Sequence, residues 1–190
     1  GQPAENIIPP AFDDGYVRWR QVDFYGNWSE PEAGPDPDGA RHLLADAGYP
    51  TGVKTTLAVP ARFDDLAQTM AAQLKAVGIE ATLVPMSAAE TADLRLGDWT
   101  GLTGEIAAPL RALAFRPDPA AGVGGDNWGG YANPALEAEV KAALALEDDA
   151  ARRKQMRRAE QIVLRDAALV PVMYVIVTLV AVPGLVIRLR

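Results

Sequence analysis

Residues 53–85 read VKTTLAVPARFDDLAQTMAAQLKAVGIEATLVP, and this stretch decides the fold class. It opens and closes on apolar runs, 53–59 and 79–85, whose valine, isoleucine and threonine content favours β-strands. Between them, residues 64–77 carry apolar side chains at helical spacing, and Asp64 is expected to cap this helix. The inward positions of the helix are Leu66, Met70, Leu74 and Val77. A strand, a helix and a second strand in this order predict a right-handed parallel crossover.

Further helices are predicted on both sides of this unit. Asp36 and Pro37 have the residue types of a helix N-cap and first turn, and Gly48 suits the end of that helix. The remaining predicted elements are a short strand at 94–99 and helices at 106–115, 133–144 and 149–165. In the helix at 133–144, Leu136, Val140 and Leu144 share one face. The pattern predicts an α/β fold with a mixed sheet and flanking helices.

Residues 169–187 carry no charge, which raises the question of a membrane-spanning helix. Pro171 and the pair Pro183-Gly184 interrupt this stretch, and valine is its commonest residue. Because valine suits a pleated surface and proline breaks a helix, two buried strands are predicted here instead of a membrane span.

The composition excludes several classes of protein. The chain has 190 residues, a formal net charge of -7, no cysteine and one histidine. A general nucleic-acid binder needs a positive field, so no nucleic-acid partner is predicted. Without cysteine there is no thiolate ligand or disulfide, and one histidine, His42, is too little for a transition-metal site of the usual kind. No metal and no cofactor are therefore predicted.

The sequence also lacks the motifs of common enzymes. Its two serines, Ser29 and Ser87, do not lie in a glycine-flanked nucleophile elbow, and no phosphate-binding glycine-lysine loop is present. No catalytic residue is predicted and the chain is expected not to be an enzyme. Two alternatives stay open: a small α/β enzyme that uses carboxylates such as Asp98 and Glu105 as acid and base, and an interaction domain without a transport role.

Several motifs, in a fixed order, resemble one protein family. Residues 35–50 read PDPDGARHLLADAGYP, Gln73-Leu74 is followed by Gly78-Ile79, and residues 130–134 read GYANP. This order resembles the family 5 extracellular solute-binding proteins, the peptide, oligopeptide and nickel type. Shorter matches at 1–10, 152–171 and 174–185 extend the resemblance over essentially the whole chain.

The resemblance implies one lobe of a two-lobed periplasmic binding protein-like fold, from the C-terminal part of a protein two to three times longer. It implies capture of a small solute or peptide for an ABC importer, with the membrane permease and the missing N-terminal lobe as partners. The location would be periplasmic or extracellular, with a membrane anchor at the missing N-terminus as an option. Residues 1–35 would be an extended aromatic-rich connecting arm, 36–168 the ligand-binding lobe, and 169–190 strands returning toward the missing lobe.

The candidate ligand-binding residues are Trp99, Asp98, Glu105, Trp128 and Tyr131. In peptide-binding members of the family, a tryptophan after a strand is closely followed by an aspartate that pairs with the peptide amine. Trp99 matches that tryptophan, but the aspartate is replaced, and Asp98 and Glu105 are the nearest acids. An indole at a strand end also suits a concave ligand site on physical grounds, although it can equally be core. Trp128 and Tyr131 either line the cleft or pin their glycine-rich loop.

Overall fold

The computed structural model describes residues 2–3, 7–8, 36–100 and 105–174. In chain order its elements are β1 (Gln2–Pro3), α1 (Pro37–Asp46), β2 (Val53–Val59), α2 (Asp64–Ala76), β3 (Ile79–Pro85), β4 (Leu94–Arg95), α3 (Ala108–Leu113), α4 (Pro134–Leu144), α5 (Asp149–Arg165) and β5 (Met173–Tyr174). Short 3₁₀ turns at Ala61–Phe63 and Met86–Thr91 follow β2 and β3.

The chain divides into two compact units. One is Glu32–Trp99, called here the sheet unit, and the other combines Gly1–Pro31 with Thr100–Arg190, called here the helical unit. The sequence predicted another division, into an arm, a lobe and returning strands, with boundaries at residues 35/36 and 168/169. That division stays a prediction.

The sheet unit is built on the predicted strand, helix and strand. β2 and β3 run parallel in register from Val53 opposite Ile79 to Val59 opposite Pro85, and α2 connects them. Leu57, Ala58 and Val59 are buried at the end of β2, and Ala67 is the buried residue of α2. The α/β class with flanking helices is thus confirmed, and both predicted strand ranges are matched.

β4 joins the other side of β2, which gives the parallel order β3-β2-β4. The predicted strand at 94–99 is too long, since β4 covers Leu94–Arg95 alone. The reason is the neighbouring strand, β2. Leu96 still donates its N–H to the Ala58 carbonyl oxygen at 2.9 Å, but β2 ends at Val59. The next residue is Pro60, which has no N–H to continue a ladder.

The helix starts show which predicted cap is correct. Asp36 accepts a hydrogen bond from the Gly39 N–H at 2.8 Å and caps α1 as predicted. The prediction that Asp64 caps α2 is wrong, because Phe63 holds the N-cap position and Asp64 is the first helical residue. The preceding 3₁₀ turn leads straight into the helix, so Asp64 stands in the first turn, where a carboxylate complements the helix dipole.

The helical unit has its own core, formed where α4 packs against α5. Leu136 and Val140, which were predicted to share one face, are buried there, together with Ile8, Ala107, Leu110, Ala114, Ala143, Met156, Ala159 and Val163. Leu144 is 43% exposed, so its prediction as a core residue is wrong. Leu144 lies eight residues after Leu136. At 3.6 residues per turn, its side chain is rotated about the helix axis by roughly 80° from that of Leu136. α3 is shorter than the predicted 106–115.

Few residues of the predicted C-terminal strands are described. β5 pairs antiparallel with β1, with Gln2 opposite Tyr174, and residues 175–187 lie outside the described residues. The predicted mixed sheet therefore takes the form, in the described ranges, of a parallel sheet in one unit and an antiparallel pair in the other. Within the same ranges, no helix combines the length and apolar character needed to cross a membrane.

Candidate functional site

The carboxyl ends of β2 and β4 lie side by side, because the two strands are parallel neighbours. From β2 the chain crosses through α2 to β3 on one side, whereas β4 lies on the other side. In open α/β sheets, ligands bind beyond the strand carboxyl ends at the place where the connections diverge in this way. Residues 60–63, after β2, and 96–99, after β4, form this place and are called here the carboxyl edge.

An ion pair crosses the carboxyl edge between Arg62 and Asp98. The two side chains are 59% and 41% exposed, so a molecule in solution can reach both of them. The Arg62 guanidinium also lies over the Phe63 ring, with its central carbon 4.9 Å from the ring centroid. Such a cation–π contact holds the flat guanidinium on one face and leaves its edge for hydrogen bonds.

The position of β4 beside β2 depends on Asp93. Its carboxylate accepts the Thr56 N–H and the Thr56 hydroxyl, each at 2.8 Å, and the Thr55 hydroxyl at 3.3 Å. The Asp93 N–H in turn donates to Thr56 Oγ1 at 2.9 Å. The side-chain hydrogen bond from Thr56 is the main cause that holds the pKa of Asp93 below its usual value. Because Asp93 directly precedes β4, this clamp fixes where Asp98 and Trp99 leave the sheet.

Two of the five predicted ligand residues, Asp98 and Trp99, lie at the carboxyl edge. Trp99 is half-buried, so part of its indole stays open to solvent. The other three predicted residues, Glu105, Trp128 and Tyr131, belong to the helical unit. The structure therefore brings Asp98 and Trp99 together in one unit, and their role toward a ligand stays a prediction.

Glu105 and Trp128 have surface positions in the helical unit. Glu105 forms an ion pair with Arg111 of α3, with 3.5 Å between Glu105 Oε1 and an Arg111 guanidinium nitrogen. Trp128 is 47% exposed, in the loop between α3 and α4. An exposed indole and an exposed carboxylate are compatible with ligand contact, which remains a prediction for both.

Tyr131 is held in place by hydrogen bonds to other parts of the protein. Its hydroxyl donates to Asp166 Oδ2 at 2.6 Å, and the Asn133 amide donates to the same oxygen at 2.8 Å. Burial, together with the hydrogen bond to Asp166, raises the pKa of Tyr131 to about 12. The buried Asn127 side chain donates to the Phe115 and Tyr131 carbonyls, each at 2.7 Å. These bonds pin the loop between α3 and α4 to the end of α5.

A concavity lies in the helical unit, between α3, the loop after it and α4. Its volume is about 630 Å³. It is lined by the charged residues Arg111, Arg116, Asp118, Glu137 and Lys141 and by apolar residues that include Phe115, Val123, Val140 and Leu144. The lining residues therefore carry charges of both signs.

Arg62 is a candidate site residue that the sequence interpretation missed. It is the only basic residue among 60–65 and 96–99, and it follows the first strand of a strand–helix–strand unit. That position marks the carboxyl end of a parallel strand, which is the signal that could have identified it. As for metals, residues 36–100 and 105–174 bring together no group of three or more His, Asp or Glu side chains that could hold an ion. The predicted absence of a metal stays a prediction.

No protein-family model matches the chain. The glutathione-binding protein GsiB of Salmonella choleraesuis is 26% identical to this chain, in a match that covers 89% of this chain and 33% of that protein. Among solved structures, the periplasmic binding protein DppA of Helicobacter pylori in complex with peptide STSA has a TM-score of 0.69 and 22% identity. It is matched over 90% of this chain and 33% of its own length.

A dipeptide-binding protein from Pseudoalteromonas sp. SM9913 in complex with Met-Leu gives a TM-score of 0.67 and 20% identity over 90% of this chain and 34% of that protein. The fold is therefore that of a lobe of these proteins, as the order of sequence motifs predicted. The chain spans about a third of the length of the relatives that it matches. Over nearly its whole length, this chain is similar to one third of a periplasmic peptide- or glutathione-binding protein of the solute-binding type.

Proposed function

We propose that the chain is the C-terminal lobe of a solute-binding protein that captures a small peptide or peptide-like solute for an ABC importer. The observation that supports it is the carboxyl edge of the sheet, where an arginine, an aspartate and an indole stand together in a fold shared with peptide-binding proteins. The importer's permease, the other lobe of the protein, and a periplasmic or extracellular location are parts of the same proposal.

The chemistry of the carboxyl edge suits a ligand that carries both charges. Arg62 offers a planar fork of donors that matches a carboxylate, and the acidic side chains near it attract an ammonium group. Asp64 and Asp65 add negative charge at the start of α2, directly after this edge. Trp99 adds a rigid apolar face for the uncharged part of the ligand. A short peptide with free ends combines these three features.

The other predicted residues keep a place in this proposal. Glu105 and Trp128 are accessible candidates for additional ligand contacts in the helical unit. Tyr131 is a weaker candidate, because its hydroxyl is already hydrogen-bonded to Asp166.

Binding without catalysis is the favoured activity. The relatives are named as binding proteins, and the two carboxylates considered as acid and base, Asp98 and Glu105, each pair with an arginine in different units. An interaction domain without a transport role would share the fold, and the preference for solute binding rests on relatives that are named as binding proteins.

A thermal-shift experiment on a protein that contains this chain together with the other lobe tests the proposal. Glutathione, Met-Leu and the STSA peptide are added singly, with nickel as a metal arm. A ligand that binds only the folded state stabilises it by roughly 2.7 kcal/mol at a concentration about 100 times Kd. We expect a rise in Tm with at least one peptide-like ligand and none with nickel.

Matched arginine variants connect that binding to the carboxyl edge. Arg62→Ala is expected to weaken ligand binding roughly tenfold or more, because it removes the carboxylate-binding group. Arg41→Ala is the control, since Arg41 also pairs with an aspartate, Asp38, but lies on α1. The proposed function is wrong if none of the three ligands changes Tm, or if both variants bind equally well.

A further inference from the structure

The ion pair at the carboxyl edge suggests a second role for Asp98. We propose that Asp98 is an internal competitor, whose carboxylate occupies the Arg62 guanidinium until an anionic group of the ligand displaces it. This inference rests on the proposed function and adds to it how the site selects the charge of its ligand. Asp98 then acts on binding from within the protein instead of serving as a contact for the ligand's amine.

The sheet places the two partners opposite each other. Leu57 pairs with Leu94 and Ala58 with Arg95, so β2 and β4 end at nearly the same level. Arg62 is the third residue after β2, which ends at Val59, and Asp98 is the third residue after β4, which ends at Arg95. Because Asp93 clamps β4 to β2 through Thr55 and Thr56, this pairing is built into the fold.

The contact between them is of the kind that a ligand can replace. Asp98 accepts from one guanidinium nitrogen of Arg62, whereas a ligand carboxylate can accept two parallel N–H bonds from the same group. The Phe63 ring lies under the guanidinium and keeps it in place during such an exchange. Both charged groups are substantially exposed, so their pairing is weak enough to be displaced.

The neighbouring charges make the competition effective. Arg62 is the only basic residue among 60–65 and 96–99, and those segments also contain Asp64, Asp65 and Asp98. With Asp98 in place, the positive charge of Arg62 is neutralised in the absence of ligand. Small or poorly aligned anions then gain little at this edge, whereas a ligand with a well-placed carboxylate still binds.

Isothermal titration calorimetry on Asp98→Asn, in the protein that contains both lobes, tests the inference. Asn keeps the shape of the side chain and removes its charge. We expect glutathione, Met-Leu or STSA, whichever binds the wild-type protein, to bind about two- to fivefold more tightly at low salt. Added salt should reduce this gain, because exposed charges are screened. The same peptide with an amidated C-terminus should show no gain.

The control variant is Asp38→Asn, which breaks a similar exposed pair with Arg41 on α1 and should leave the affinity unchanged. Asp98→Ser removes the same charge with a different side chain and should change affinity in the same direction as Asp98→Asn. Modification of Arg62 by phenylglyoxal, followed by mass spectrometry, should be faster in Asp98→Asn than in the wild-type protein without any ligand.

The outcomes separate the two proposals. If none of the three ligands binds the wild-type protein, the proposed function is wrong and the competitor role falls with it. If a ligand binds but Asp98→Asn and Asp98→Ser leave its affinity unchanged or weaken it, the role given to Asp98 alone is wrong. Weaker binding in both variants would identify Asp98 as a direct contact for the ligand.

Discussion

Trp99 follows Asp98 where the chain has left the hydrogen bonds between β4 and β2. A half-buried indole in that position has enough support from the protein to be rigid and enough exposed surface to pack on a ligand. Tyr49 has less support from the protein, because it is 50% exposed in the turn between α1 and β2. The two residues allow a comparison between aromatic side chains at opposite edges of the same parallel sheet.

Trp99→Ala is expected to weaken ligand binding roughly tenfold to a hundredfold, the loss typical of a central aromatic contact. Its cost to stability should be smaller, because the side chain is only half-buried. Calorimetry gives the affinity per folded molecule and thermal unfolding gives the stability, with Tyr49→Ala as the control for removal of an aromatic ring. Unfolding of the domain with unchanged binding per folded molecule would show that Trp99 is a core residue.

Tyr131→Phe removes the hydroxyl that donates to Asp166. We expect the free energy of unfolding at pH 8 to fall by about 0.5–1.5 kcal/mol, the net value of one hydrogen bond. The pKa of Tyr131 is raised from 10.0 to about 12 in the folded state. The hydrogen bond of the neutral hydroxyl therefore contributes its full stabilisation of the folded state at pH values below 10.0. It is lost as the pH rises toward 12.

Urea unfolding of wild-type protein and Tyr131→Phe at a series of pH values measures this loss. The difference between the two proteins should be constant from pH 7 to 9 and should shrink above pH 10, because Phe does not titrate. A difference that grows above pH 10 would mean that the hydroxyl is not held in its neutral form by the fold.

The loop between α3 and α4 depends on its own backbone bonds more than on regular structure. Gly124 donates its N–H to the Arg111 carbonyl at 2.8 Å, and Asp126 donates to the Ala112 carbonyl at 3.1 Å. Together with the Asn127 amide, these bonds attach the loop to the end of α3. A glycine-rich stretch that looks flexible in the sequence is therefore ordered by specific contacts.

Gly124→Ala and Gly122→Ala form a matched pair in this loop. Both glycines have positive φ, 70° and 64°, so alanine costs about 1–2 kcal/mol at either position. At Gly124 a Cβ would also lie 2.5 Å from the Phe115 carbonyl oxygen, whereas at Gly122 nothing lies within 4 Å. We expect a further loss of about 1–3 kcal/mol for Gly124→Ala alone, measured by urea unfolding. Equal losses for the two variants would contradict the close packing at Gly124.

At the scale of the molecule, the chain corresponds to about a third of its relatives. A two-lobed receptor encloses its ligand between both halves, and ligand sites typically bury most of the ligand surface. Under the proposed function, the carboxyl edge would provide one wall of such a site, and a second lobe would provide the other.

The 190-residue chain alone is expected to bind the peptide-like ligand weakly or not at all, while a protein that contains both lobes binds it well. Leaving roughly 100 Å² of apolar ligand surface in water forfeits about 2.5 kcal/mol at 25 cal/mol per Å². That loss is between tenfold and a hundredfold in affinity. Calorimetry on both proteins with the same ligand measures it, and equal affinities would show that one lobe is sufficient.

Local pattern was enough to predict α1, β2, α2 and β3 of the sheet unit. The ranges of β2, α2 and β3 follow from apolar spacing, and the Asp36 cap follows from residue types next to each other in the chain. Such signals need no knowledge of distant residues. The ordered motifs likewise pointed to the solute-binding proteins, and the resemblance matched Trp99 to a tryptophan that follows a strand in that family.

Features that depend on distant residues were decided by the tertiary structure. The early end of β4 depends on Pro60 across the ladder, and the Arg62–Asp98 pair joins side chains 36 residues apart. The Tyr131 hydroxyl is bonded to Asp166, 35 residues away, which the sequence around Tyr131 does not indicate. Side chains far apart in sequence meet only after the register of strands and the packing of helices are set. The sequence therefore determined the elements and the resemblance, and the tertiary structure decided which charged groups face one another.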